Sequence, residues 1–297
     1  MSDGFERIHF PFVLPDSKWR RTAKVGLGRA LLLAQPHRRA KVIATSDPGD
    51  LDLADRLAAA AIASDASAGD WSDLSDVHQR FWAGRGGHDF NASDVAAERF
   101  DSLFLTEHTR PFDRLVTELQ QTDATPQALI EIGSGNGLVL EYLSKRFPQI
   151  PSFVGVDISA EATASNAVKW SGNSRLQFEA GDGVDWIRKN AGPASIYVVN
   201  GGVLEYFTQE KVEELYALTA DIGGPAWWVV VEPIYPGYDP ATETASRMNG
   251  GEFSFCHNHE SLLEKAGWTI LDSGRAFGNG VHWAMIVARL DEASRQA

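Results

Sequence analysis

The chain has 297 residues, 43% hydrophobic and 10% aromatic, enough for one large domain or a domain with an extension and too apolar for a disordered chain. Its single cysteine, Cys256, excludes an internal disulfide framework and fits a reducing cytoplasm, the expected location. Net charge is −13, although residues 1–41 hold nine Lys/Arg against three Asp/Glu; so acidic a body argues against a nucleic-acid partner, and no apolar run suits a membrane span or a secretory signal.

Residues 1–75 read as an N-terminal, mainly helical extension that could serve as a homodimer arm. Trp19–Gln35 predicts a basic helix with Val25, Leu27, Leu31 and Leu32 inward, stopped by Pro36. Asp47-Pro48-Gly49-Asp50 is a turn, after which Leu53, Leu57, Ala58, Ala61 and Ile62 mark an amphipathic helix, with a loop from Ser64 to Asp70. Residues 76–127 are expected to form a helical cap. Within it, Phe81-Trp82-Ala83-Gly84-Arg85-Gly86-Gly87-His88 reads either as a mobile flap over a ligand or as an interhelical loop with two aromatic anchors. Ser93 then caps a helix through Glu107, and Pro111 starts another that runs to about Gln120.

From Ala128 to the end, at 297, the pattern alternates. Strands at 128–132, 152–157, 176–180, 195–199 and 226–232 are followed by helices at 136–147, 160–170, 184–190, 209–222 and 259–266. Strands at 268–273 and 281–289 close the chain, joined by a glycine-rich Asp272–Gly280 connection. Apolar strands separated by helices predict an α/β chain with a mostly parallel, doubly wound sheet. Pro236–Cys256 shows no clear regular element and reads as a lid or substrate wall, with Tyr235, Tyr238, Phe253 and Phe255 suited to an apolar acceptor.

The first strand runs into Glu131-Ile132-Gly133-Ser134-Gly135-Asn136-Gly137, a glycine bend opening a helix, the arrangement that faces a nucleotide. Glycine is needed there because a Cβ would block the ligand and the turn is expected to visit positive φ. A dinucleotide fingerprint would place its third glycine at Leu138. The acid two positions before the first of three alternating glycines instead resembles the first motif of the class I S-adenosylmethionine-dependent methyltransferases, and the resemblance extends over roughly Ala128–Leu290. It implies a Rossmann-like seven-stranded mostly parallel sheet with an antiparallel last strand, S-adenosyl-L-methionine as cofactor, and helices before the first strand lying across the pocket.

Cofactor contacts are expected at the strand ends: Glu131, Gly133, Ser134, Gly135 and Gly137 after the first, and Asp157 on the ribose hydroxyls with Ile158 on the adenine face after the second. A helix cap is the rival role for Asp157. The resemblance adds Asp182 and the Gly183 amide for adenine, Asn200 and Gly201 for the methionine portion, and an orienting role for Glu131 toward the cofactor's amino group. The first choice of base is His257, with His282 behind it and Glu232 a further candidate, although His257 could equally be an exposed neighbour of a helix capped by Asn258. Trp82, Glu205, Tyr206, Tyr235 and Phe255 are the candidate substrate contacts. His257, His259 and Glu260 lack the i, i+4 spacing of helical metal pairs, so no metal is expected. Asn200-Gly201-Gly202-Val203 is not the Asn-Pro-Pro-Tyr type motif of base-amino methylation, and Glu205 is single where protein arginine methyltransferases place paired glutamates. A small-molecule acceptor remains, oxygen before nitrogen. The alternatives are an NAD-type oxidoreductase and a non-catalytic scaffold that kept the fold.

Overall fold

The computed structural model describes residues 17–45, 48–69, 71–122, 125–249 and 254–291; Asp47, Asp70 and Phe253 lie outside them. The chain divides into two units, residues 1–90 with 248–255, and residues 91–247 with 256–297.

The first unit is helical: α1 Lys18–Ala34, α2 His37–Ala44, α3 Leu53–Ser67, α4 Ser72–Ala83 and α5 Arg85–Asn91, whose last residue begins the second unit. α3 is buried almost all round from Ala58 to Ala63, because its run of alanines lets neighbours approach closely. A Cβ on Gly28 of α1 would fall 2.0 Å from the Leu57 carbonyl oxygen. That crossing leaves Leu27 and Leu53 on the outside, 59% and 77% exposed, contrary to the amphipathic reading. The loop expected at Ser64–Asp70 is helical to Ser67, held by Arg29–Asp65 at 2.6 Å and by the Trp71 indole N–H on the Ala66 carbonyl at 3.1 Å. Asp55 is buried between Arg38 and Lys41; burial raises its pKa, but the two cations outweigh that and hold it below the usual carboxylate value.

The segment 81–88, read as a flap or an interhelical loop, is helical except for a break at Gly84, and its glycines serve close packing: a Cβ on Gly86 would fall 2.3 Å from the Phe81 ring and one on Gly87 2.2 Å from the Trp82 carbonyl.

In the second unit α6 (Asp94–Arg99), capped by Ser93, continues as a nine-residue π-helix, Phe100–His108, and α7 (Arg110–Gln121) follows with Pro111 in its first turn. The alternating region then unfolds as β1 Ala128–Ile132, α8 Leu138–Arg146, β2 Ser152–Asp157, α9 Ala160–Lys169, β3 Leu176–Ala180, α10 Gly183–Asn190, β4 Ser195–Asn200, α11 Gln209–Ile222 and β5 Ala226–Ile234. A short ribbon, β6 Arg247–Asn249 with β7 Ser254–Cys256, interrupts the stretch expected to be irregular. α12 (His259–Lys265), β8 (Thr269–Gly278) and β9 (Val281–Leu290) complete the chain. β8 and β9 run on to a tight turn at Asn279-Gly280, so the glycine-rich connection is largely strand.

The sheet order is β3-β2-β1-β4-β5-β9-β8, with β1–β5 parallel and β9 antiparallel to β5 and β8. Apolar residues fill both faces of the central strands. Ile130, Tyr197, Trp228 and Ile286 meet the face with α10–α12, while Leu129, Val198, Trp227 and Trp283 meet the face with the π-helix, α7 and α8. Adjacent Trp227 and Trp228 go to opposite sides because strand side chains alternate. Edge strand β3 carries Gln177 and Glu179 and is the most exposed of the parallel set.

Candidate active site

The carboxyl ends of β1–β5 share one edge, where an open parallel sheet binds ligands. At β1 the chain turns at once: Gly133, Gly135 and Gly137 have φ of +72°, +50° and +74°, the left-handed region expected from the sequence. The reason for glycine differs by position. A Cβ on Gly133 would fall 2.5 Å from Val203, and one on Gly137 2.8 Å from the Trp170 indole nitrogen, so these two serve packing within the protein. Gly135 is the open one, with only the Asn91 side-chain oxygen 3.0 Å from its would-be Cβ.

The bend's N–H groups are mostly spent inside the protein. Gly133 and Ser134 donate to the Val156 carbonyl, Gly135 to Asp157 Oδ2 at 2.8 Å, and Gly137 to the Ser134 carbonyl. Asn166 fixes the other side, its amide donating to the Gly135 carbonyl at 2.8 Å. What the bend offers is carboxylates. Glu131 is 2% exposed, and one of its oxygens, Oε2, is buried without a partner among the described residues, as is the Ser134 hydroxyl. Burial, together with the nearby charge of Asp157, pushes Glu131 well above the ordinary carboxylate range. Burial likewise raises Asp157, against the pull of the Ser159 and Gly135 N–H donors. Two acids are thus buried side by side beneath a glycine bend, an arrangement that favours a cation over an anion.

Asp157 accepts one N–H on each oxygen, from Gly135 and from Ser159, and retains further acceptor capacity; α9 is capped by Ser159, whose hydroxyl accepts from the Ala162 N–H, so the rival capping role falls to Ser159. Ile158 beside it is half-buried. Asp182 is more committed: Oδ1 caps α10 through the Val184 and Asp185 N–H groups, and Oδ2 pairs with Lys211 at 2.6 Å. Both carboxylate oxygens are thus already engaged within the protein, where the family resemblance implies an acceptor for adenine. Gly183 opens α10, packed against Ile132.

At β4 and β5 the polar groups are consumed locally. Glu232, 1% exposed, accepts from the backbone N–H groups of Val203, Leu204 and Glu205, and burial lifts it to about 7 despite them. His257 is not an exposed base but a buried strut. Its Nε2 meets the Leu204 carbonyl at 2.9 Å and its Nδ1 meets the Ser246 hydroxyl at 2.6 Å, while burial lowers its pKa to about 4. With both ring nitrogens occupied, it has no site from which to take a substrate proton, and the expectation of a base at His257 is corrected. Glu232 and His257 together pin the 203–207 turn. Asn258 does cap α12, its Oδ1 accepting from the Ser261 N–H at 3.0 Å, while its own amide donates to the Pro240 and Glu243 carbonyls. His282 lies at the same sheet edge, opposite Ile234, its ring 4.7 Å from that of Phe277.

No family model and no curated protein matches the sequence. Solved structures do. Magnesium protoporphyrin IX methyltransferase (ChlM) from Synechocystis PCC 6803 with bound S-adenosylmethionine superposes with a TM-score of 0.52 at 12% identity, over 73% of this chain and 97% of that one. The same protein with bound S-adenosylhomocysteine gives 0.51 at 13% identity, over 72% and 98%. N-methyltransferase NodS from Bradyrhizobium japonicum WM9, in complex with S-adenosylhomocysteine, gives 0.49 at 16% identity, over 68% and 95%. The fold is that of the class I methyltransferases.

Within this methyltransferase fold, Glu205 and Tyr206 sit on the turn after β4, where a Cβ on Gly202 would fall 2.2 Å from Glu205 Oε1. The Tyr235 hydroxyl is bonded to Glu243 and takes a 3.0 Å bond from Arg247. Trp82 and Phe255 belong to the first unit; Trp82 packs edge-on against Phe81 and Phe90, and Phe255, 2% exposed, packs against Trp71 at 4.9 Å. No group of His, Cys, Asp and Glu suited to a metal occurs among the described residues, and no helix there is long and apolar enough to cross a membrane. Sequence reasoning overlooked His108. Its Nδ1 lies 2.9 Å from Asn200 Oδ1, next to the Arg99 guanidinium, which donates to the Gly201 carbonyl at 3.2 Å. Only the position of Asn200 at a strand end hinted at such a partner.

Proposed function

We propose that the protein is an S-adenosylmethionine-dependent methyltransferase acting on a small-molecule acceptor, with oxygen the favoured atom. The observation that carries the reading is the buried acid pair, Glu131 and Asp157, under a bend whose amides are mostly spent within the protein. S-adenosylmethionine supplies a methyl group already activated by a sulfonium, and both the sulfonium and the ammonium are cations. A nicotinamide dinucleotide would bring a diphosphate toward two carboxylates and find few free N–H groups, which disfavours the oxidoreductase reading. The unpartnered Glu131 Oε2 and Ser134 hydroxyl fit a polar ligand tail, Asp157 retains lone pairs for two ribose hydroxyls, and Ile158 offers an apolar surface to a flat ring.

The protein's main task is alignment of acceptor and donor, worth roughly 7–11 kcal/mol in favourable systems. The chain's net charge of −13 supports a small acceptor over a nucleic acid. Its single, buried Cys256 thiol, raised to about 11 by burial, is consistent with a reducing compartment. Calorimetry with S-adenosylhomocysteine and NAD tests the reading. Heat with the former alone is expected; heat with NAD alone, or with neither, would discard it.

A further inference from the structure

We propose that His108 is the general base of the reaction, its Nε2 lone pair receiving the proton that the acceptor must lose. The inference rests on the methyltransferase reading above.

His108 closes the π-helix Phe100–His108 and is 1% exposed. Runs of π-helix are rare and concentrate at functional sites. Here the hydroxyls of Ser102 and Thr106 bond back to the carbonyls of Glu98 and Ser102 at 2.7 and 2.8 Å, competing with the ordinary ladder. Phe100 stacked on Phe104, with Phe104 tilted against Phe112 and edge-on to Tyr142, holds the widened segment in place. The result is that a residue 92 positions from Asn200 sets its ring against the end of β4. β4 lies between β1, which carries the glycine bend, and β5, which carries Glu232.

The contacts assign the ring's chemistry. Asn200 Oδ1 accepts, so His108 Nδ1 carries the hydrogen and Nε2 is left as a bare lone pair. That nitrogen is buried and has no partner among the described residues, in contrast to both nitrogens of His257. The groups facing the ring are Asn200 from β4, Arg99 from α6 and Trp283 from β9, whose ring lies 4.6 Å away, edge-on. Burial first, and then the Arg99 charge, bring His108 to about 4 against the pull of Asn200, so the ring stays neutral throughout the physiological range. A weak base suffices because an acceptor hydroxyl becomes strongly acidic as it is alkylated. The acceptor's nucleophilic atom forms the new bond to the methyl carbon while the carbon–sulfur bond breaks, its electron pair leaving on sulfur. The acceptor's proton passes to Nε2 and then to water as product departs.

The test begins with ¹⁵N-histidine spectra of the full chain bound to S-adenosylhomocysteine. A protonated Nδ1 and a bare Nε2 for His108 at pH 7 are expected; a protonated Nε2, from a reversed Asn200 amide, or an imidazolium would overturn the assignment. Next, wild type and His108→Gln are compared with S-adenosylmethionine and a panel of phenols, carboxylic acids and primary amines. Turnover should fall on the order of 100-fold or more, with S-adenosylhomocysteine affinity by calorimetry kept within about threefold. Turnover within about threefold of wild type would remove His108 while leaving the methyltransferase reading intact, whereas absence of heat with the wild type would remove that reading itself. Asn200→Asp is the second variant, should His108→Gln not fold. A carboxylate there favours the charged ring, so the acidic limb of the rate profile should move to higher pH; an unmoved limb would count against His108.

Discussion

The two halves of the sheet's binding edge use the same residue types for opposite ends. Under the glycine bend, Glu131 and Ser134 keep buried polar atoms with no partner among the described residues. Across β4 and β5, Glu232 accepts three backbone N–H groups and His257 has both ring nitrogens bonded. Burial is equal on the two sides, and raised or lowered pKa values occur on both. The difference lies in saturation: Glu232 and His257 have their partners supplied by their own chain and build the wall, whereas Glu131 and Ser134 keep unused hydrogen-bonding capacity at the edge where an open sheet binds ligands. His108, satisfied at Nδ1 and open at Nε2, falls on the ligand side of this division.

Substitutions on each side should therefore fail differently. The largest loss is expected for Glu232→Ala, which strands three buried N–H groups and should cost about 3–5 kcal/mol of stability. Urea denaturation measures it, and a drop in methylation without a lower midpoint would move Glu232 to the ligand side. Gly135→Val should cost about 1–3 kcal/mol of stability, because a φ of +50° strains a β-branched residue, and weaken S-adenosylhomocysteine binding by about 3 kcal/mol or more, read by calorimetry on the folded variant. Asp157→Ala should cost about 1.5–3 kcal/mol of that affinity, with a smaller loss of stability from the freed Gly135 and Ser159 amides; a purely structural loss would reduce Asp157 to a brace of the glycine bend.

The smallest effect concerns pH. His257 titrates at about 4 when folded, below its unfolded value, so it stabilises the fold above about pH 6.5 and that stability drains as pH falls toward 4. Between pH 7 and 5 the wild type should lose about 1–2 kcal/mol through this residue, and His257→Gln should show a correspondingly flatter melting-temperature profile. A profile that changes in turnover instead of stability would return His257 to catalysis.

Much of the α/β region was legible in the linear chain. β1, β2, β3 and α11 have the boundaries their apolar patterns imply, because a strand buried on both faces and a helix with one apolar side write their periods locally. The positive φ values of the glycine bend were legible for the same reason. Segments 64–67 and 81–88 misled because serines, aspartates and glycines mark loops only when nothing packs on them; here glycine permits contact with Phe81 and Trp82, and Arg29 meets Asp65.

Which polar groups are spent and which are free was decided by tertiary structure alone. Leu204 and His257 are 53 residues apart, and Asn200 and His108 are 92 apart. No period in the sequence connects such pairs, since a hydrogen bond depends on distances of about 3 Å that only the assembled sheet and its helices set.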